Sequence, residues 1–116
     1  MASVLSKITR GSFEEIYLQG RGAHSPLLGV KVLFPYPKAG TVINTVVVSS
    51  KVAKLAVNRN QLKRRIKAIL REFTLNFTSQ SGAIIVLTKK EASRATTSEL
   101  REALLQTLSQ TGILSR

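Results

Sequence analysis

The chain has no cysteine, no aspartate and a single histidine, and its 116 residues include only six aromatics and six acids, all glutamates. Each shortage removes a class of chemistry. Without cysteine there are no disulfides and no thiolate metal sites, and His24 alone cannot assemble an imidazole site within one chain. It reads as a surface-loop histidine. A two-metal nuclease needs several carboxylates converging on one point. Glu14, Glu15, Glu99 and Glu102 are better explained as caps and first-turn charges, which the helix dipole favours, and Glu72 and Glu91 lie far apart in sequence. No residue is therefore assigned a catalytic or metal-binding role. No apolar run reaches the roughly 18 residues of a membrane-spanning helix, and MASVLSKITR lacks the contiguous apolar region of a signal peptide. A cytoplasmic protein without membrane association is expected.

What the chain has in excess is positive charge. Eighteen lysines and arginines face the six glutamates, giving a net charge of +12 and a pI near 11.0. Such a balance implies a polyanionic partner, nucleic acid first among them. With 43% hydrophobic residues, the length supports one core and hence one domain over residues 1–116.

Charge and periodicity meet between Lys51 and Phe73, KVAKLAVNRNQLKRRIKAILREF. Eight of the eighteen cations lie between Lys51 and Arg71, with no acid before Glu72. On a helix turning about 100° per residue from Leu55, the side chains of Leu62, Ile66, Ile69, Leu70 and Phe73 fall within about 60° of it. That is a core-facing stripe headed by Leu55. Arg59, Lys63, Lys67, Arg71 and Arg64 sweep from about 40° to 180° with Asn60 among them, and Arg65 falls on the far flank. A solvated helix face normally mixes signs. Here like charges recur every four residues from Arg59 to Arg71, each pair costing a few tenths of a kcal/mol, about 0.2–0.5, so an anionic partner is required to compensate them.

The remaining segments are short and well punctuated. Ser12–Glu15 has the spacing of a capping box, predicting a helix from Phe13 to about Leu18 that stops at Gly20 and carries Phe13, Ile16 and Tyr17 on one face. Ile16 is core. Phe13 and Tyr17 suit either the core or a platform on which unpaired bases stack. Residues 20–26 form a breaker-rich loop, and Leu27–Phe34 alternates as a strand with Leu28, Val30, Val32 and Phe34 on one side and Lys31 on the other. The turn chemistry of Pro35–Gly40 then predicts that Thr41–Ser50, with Val42, Val46 and Val48 opposite Ile43 and Val47, returns antiparallel as a hairpin. Ala83–Leu87 reads as a buried central strand, joined to the previous strand through the basic helix in a parallel crossover. A second capping box, Thr96–Glu99, opens an amphipathic helix carrying Leu100, Leu104, Leu105 and Leu108 and ending at Gly112. The expected architecture is α+β, with helices packed on a central mixed sheet in the order α-β-β-α-β-α and room for one further short strand.

Ala56-Val57-Asn58-Arg59-Asn60-Gln61-Leu62-Lys63-Arg64, following the strand end Ser50-Lys51, resembles the signature of the bacterial ribonuclease P protein subunit. In that family a strand ending in Ser-Lys leads through a short junction and Ala-Val into a helix bearing Arg-Asn-Arg and Lys-Arg. Phe13 and Tyr17 also stand where the family places aromatics on its first helix. Two positions depart: Gln61 replaces an Arg or Lys, and Lys54 a usual glycine. The resemblance implies a left-handed crossover through the basic helix, against the strong right-handed rule. It implies as partners the catalytic ribonuclease P RNA, with Mg²⁺ bound by the RNA rather than by the protein alone, and precursor tRNA, whose 5′ leader lies between the first helix and the sheet. RNA contacts are expected at Lys51, Lys54, Arg59, Asn60, Lys63, Arg64, Lys67 and Arg71, leader contacts at Phe13 and Tyr17, and no stable protein partner is expected. Composition alone leaves open a structural RNA-binding protein such as a ribosomal component, which would use the same helix without a leader cleft, and less favourably an amphipathic membrane-surface protein.

Overall fold

Alternation in two strands decides how the layers stack. In the computed structural model, which describes residues 8–115, strand β2 (Leu28–Leu33) buries Leu28, Val30 and Val32 on one face. Strand β4 (Gly82–Thr88) buries Ile84 and Val86 on that face and Ala83 and Ile85 on the other, as a central strand must. Strands β1 (Arg21–His24) and β3 (Val42–Val47) complete a four-stranded sheet in the order β1-β2-β4-β3. Both β1 and β4 pair with β2 antiparallel, whereas β3 pairs with β4 in parallel. Helices α2 (Ala56–Glu72) and α3 (Thr97–Thr111) cover one face, and α1 (Arg10–Gln19) crosses part of the other. The fold is α+β on a mixed sheet, with the basic helix joining two parallel neighbours.

The expected hairpin does not form. The strand before Pro35 and the strand after Gly40 both pair with β4, which lies between them, so β2 and β3 never touch as neighbours. The turn between them instead folds as a 3-10 turn over Pro37–Ala39 that buries Tyr36 and Ala39 beneath α1. The true hairpin is β1–β2, its second strand as expected but its first built from residues placed above in a breaker-rich loop; β1 supplies the further short strand and puts His24 in a strand rather than a loop.

Helix α1 starts earlier than the Ser12 capping box implies. Thr9 is the N-cap and its Oγ1 accepts from the Ser12 backbone N–H at 3.2 Å. Glu15 has no box to complete, because the Ser12 N–H already donates to Thr9. It accepts from the Tyr36 hydroxyl at 3.1 Å and pairs with Lys38 at 3.5 Å. The second box is present as read: Glu99 N–H donates to Thr96 Oγ1 and Thr96 N–H to Glu99 Oε1. Leu100, Leu104 and Leu108 of α3 are fully buried, and the helix ends at Gly112 with φ 93°, a left-handed cap.

Candidate nucleic-acid interface

The apolar stripe of α2 (Leu62, Ile66, Ile69, Leu70) lies buried against the sheet and α3, with Phe73 half-buried at its end. Leu55 is not part of it. It is the N-cap residue, in extended conformation before the first helical turn, and is 62% exposed, because the stripe begins only when the helix does. Anchoring that stripe turns the opposite arc outward. Asn60, Arg64, Lys67 and Arg71 are exposed and Lys63 is half-exposed. Among the described residues, the side chains of Lys63, Arg64, Lys67 and Arg71 make no hydrogen bond or ion pair that would compensate their charge.

Two arginines of the helix are committed internally. Arg59 Nη1 donates to the carbonyls of Ala53 at 3.0 Å and Lys54 at 2.8 Å, closing the junction between β3 and α2. Arg65, on the far flank, donates to the Ala95 carbonyl at 2.8 Å and so ties α2 to the segment preceding α3. Arg59, expected to contact RNA, thus has a structural task as well: part of its guanidinium shapes the turn that presents Lys51 and Lys54. Those two lysines lie before the helix, both exposed.

Three cations missed in the sequence extend this surface. Past the end of β4 a 3-10 turn spans Lys90–Arg94, and Lys90 and Arg94 line a shallow groove with Lys51. The signal was present as Lys89-Lys90 directly after a buried strand, but its neighbourhood with Lys51 follows only from β3 and β4 running parallel and ending at the same edge. The third is Lys31, noted only as the outward residue of its strand. Its Nζ sits over the Tyr17 ring, 5.2 Å from the centroid.

The face of the sheet crossed by α1 is only partly covered. Ile16 packs there with Tyr36, Ile43, Ala83 and Ile85, while Phe13 is half-buried and Tyr17 remains 42% exposed. The two rings lie nearly parallel, 8° apart, with centroids at 6.1 Å. Beyond α1 the same face continues through Lys31, Gly29 and His24 toward Val47, which is 37% exposed. The open half of the sheet face is thus flanked by aromatic rings on one side and leads to the sheet edge carrying Lys51 and Lys54.

Residues 6–112 match the Ribonuclease P family. The chain belongs to the ribonuclease P protein family. The ribonuclease P protein component of Pseudanabaena sp. (strain PCC 6903) is 34% identical over 105 residues, covering 90% of this chain and 89% of the relative. That of Xylella fastidiosa (strain 9a5c) is 32% identical over 105 residues, covering 90% and 74%. The ribonuclease P protein of Staphylococcus aureus superposes with a TM-score of 0.80 at 21% identity, over 92% of this chain and 94% of that one. The Thermotoga maritima protein gives 0.72 at 22% identity, over the same shares. Within this ribonuclease P protein fold, Gln61 faces away from the cationic row, lining a groove with Asn58, Arg65 and Ser93. Among the described residues no helix is long and apolar enough to cross a membrane.

Proposed function

We propose that this ribonuclease P family member binds the catalytic RNA through the outward arc of α2 and the adjoining junction, and holds the 5′ leader of precursor tRNA on the open sheet face beside Phe13 and Tyr17. The observation that carries this reading is the uncompensated cationic row of Lys63, Arg64, Lys67 and Arg71, set on a helix whose other side is locked into the core. Lys51, Lys54, Arg59 and Asn60 join it at the helix start. Phosphate contacts of this kind hold an RNA in place while aromatic side chains accept its unpaired bases.

Bond breaking is assigned to the RNA. Glu72 is bound to Arg101, Glu15 to Tyr36 and Lys38, and Glu99 to its own N-cap. No three histidine or glutamate side chains gather among the described residues in a group suited to a metal. In this reading Mg²⁺ is held by the RNA phosphates. The protein's own contribution is to lower charge repulsion between two RNAs and to hold the leader.

Reconstitution with ribonuclease P RNA tests this. The chain should permit cleavage of precursor tRNA at Mg²⁺ concentrations where the RNA alone fails. Combining Lys63→Ala, Lys67→Ala and Arg71→Ala should weaken RNA binding and flatten the slope of log K against log salt by about one unit per residue. Phe13→Ala with Tyr17→Ala should weaken precursor tRNA binding more than mature tRNA binding, by about 1–3 kcal/mol per base lost. An unaltered salt slope would remove α2 from the interface. A thousandfold fall in the chemical step on changing any one glutamate to glutamine would make the chain a nuclease in its own right.

A further inference from the structure

A second recess lies at the other end of α2, away from the Lys51 junction. It is bounded by the last turn of the helix, the 3-10 turn Thr74–Asn76 and the start of β3, and holds about 400 Å³. Its floor is apolar: Leu70 and Ile84 are fully buried there, and the half-buried Phe77 ring supplies one wall. Around the floor, most hydroxyls are already bonded, and Thr41 is the exception. The hydroxyls of Thr74, Thr78 and Ser79 are spent on the carbonyls of Arg71, Gly112 and Ser81 at 2.7–2.8 Å. The side-chain amides of Asn44 and Gln80 and the guanidinium of Arg71 line the same recess, and no hydrogen bond is recorded for them among the described residues. No carboxylate lines it.

We infer that this recess receives one unpaired nucleobase of the RNA bound along α2. The inference rests on the proposal that α2 faces RNA, and it adds a site of base recognition to what is otherwise a phosphate-binding surface. A flat, weakly polar group fits an apolar floor with an aromatic wall. An amide offers a donor and an acceptor side by side, which matches the edge of an unstacked base. A purely apolar occupant would take the amides of Asn44 and Gln80 away from water without offering them partners. A polyphosphate would find a single cation. Arg71 joins the two surfaces, because it is the last member of the cationic row and also a wall of the recess. A strand tracked by Lys63, Lys67 and Arg71 is delivered to its mouth, where Arg71 holds the flanking phosphate.

The absence of cysteine makes a direct test available. Leu75, 97% exposed at the rim, can be changed by Leu75→Cys and coupled to a benzophenone, with Gln106→Cys on exposed α3 as the control. Irradiated with ribonuclease P RNA, the Leu75 position should crosslink to one unpaired nucleotide or two adjacent ones, and the control should not. In parallel, Asn44→Ala with Gln80→Ala should lower affinity about tenfold to a hundredfold while leaving the salt slope unchanged, since no charge is removed. Replacing the crosslinked base with an abasic nucleotide should abolish the difference between that variant and the wild type. Crosslinks spread over paired nucleotides, crosslinks to a second protein chain, or an unchanged affinity of the double variant would each overturn the recess while leaving the α2 interface standing. Failure of the unmodified chain to bind RNA would instead overturn the proposed function itself.

Discussion

Gly20 stops α1 with a backbone that any residue could adopt, φ −74° and ψ 158°. Its requirement is space. A Cβ there would lie 2.6 Å from the Ile16 carbonyl oxygen and 3.0 Å from that of Val32, both backbone atoms that cannot swing aside. Gly20→Ala should therefore destabilise the fold by about 1–3 kcal/mol, read as a lower urea midpoint at unchanged m-value; an unshifted midpoint would mean α1 is free to lift from β2. Arg59 offers a sharper separation of roles. Arg59→Lys keeps the charge but loses the fork that spans two carbonyls, so it should cost about 1–2 kcal/mol of stability and leave the salt slope of RNA binding in place. Lys67→Ala should do the reverse. If Arg59→Lys leaves stability untouched, the clamp on Ala53 and Lys54 is incidental. Nothing in the linear pattern distinguished these two cations, since both fall on the same arc of the wheel; the distinction comes from the junction folding back within reach of Arg59.

At the scale of elements, helices were more legible than strand partners, and capping shows why even helix ends can mislead. Thr9, Ser12 and Thr96 all present a hydroxyl ahead of an amphipathic run, and Ser12 and Thr96 both have glutamate three residues on. Only Thr96 completes the box, because it is the N-cap of its helix, whereas the cap of α1 is Thr9 and the Ser12 N–H that Glu15 would bind already donates to Thr9 Oγ1. Thr96→Ala and Thr9→Ala should each cost about 1 kcal/mol in chemical unfolding, and Ser12→Ala only a few tenths; a Ser12→Ala cost equal to that of Thr9→Ala would restore Ser12 as the cap. The contact between α2 and α3 has its own signature. Arg101 donates through Nε and Nη2 to both oxygens of Glu72, at 2.9 and 3.2 Å. The hydrogen bond from Arg101 holds the Glu72 carboxyl below its ordinary value of 4.5, and the same bond raises the Arg101 guanidinium. A depressed carboxyl stabilises the fold at pH above its unfolded value and loses that contribution as pH falls through the folded one. Wild type should thus exceed Glu72→Gln by a constant margin above about pH 6, with the gap closing below 4.5 and shrinking in high salt. A gap that widens on acidification would refute the assignment.

For the molecule as a whole, the excess of cations and the helix that carries six of the eighteen could be read directly, because charge and 3.6-residue periodicity are local properties. Sheet order could not. The turn around Pro35–Gly40 looks the same whether the next strand lies beside the previous one or one place removed, and only the arrival of β4 decides. That insertion has a consequence for the order of synthesis. Strands β2 and β3 emerge from the ribosome well before β4, and α2 between them and β4 has no complete floor until both strands have found it. Such non-local pairing is slow, and unpaired edges are exposed meanwhile. A chain ending at Gln80 retains every cation from Lys51 to Arg71 yet has no strand to join its two halves. It should show no cooperative thermal transition, and its isolated α2, short and crowded with like charges, should be largely unwound in circular dichroism. The growing chain would then carry the whole cationic row of α2 before it has a sheet on which to display it, and would become competent for RNA only once β4 has followed.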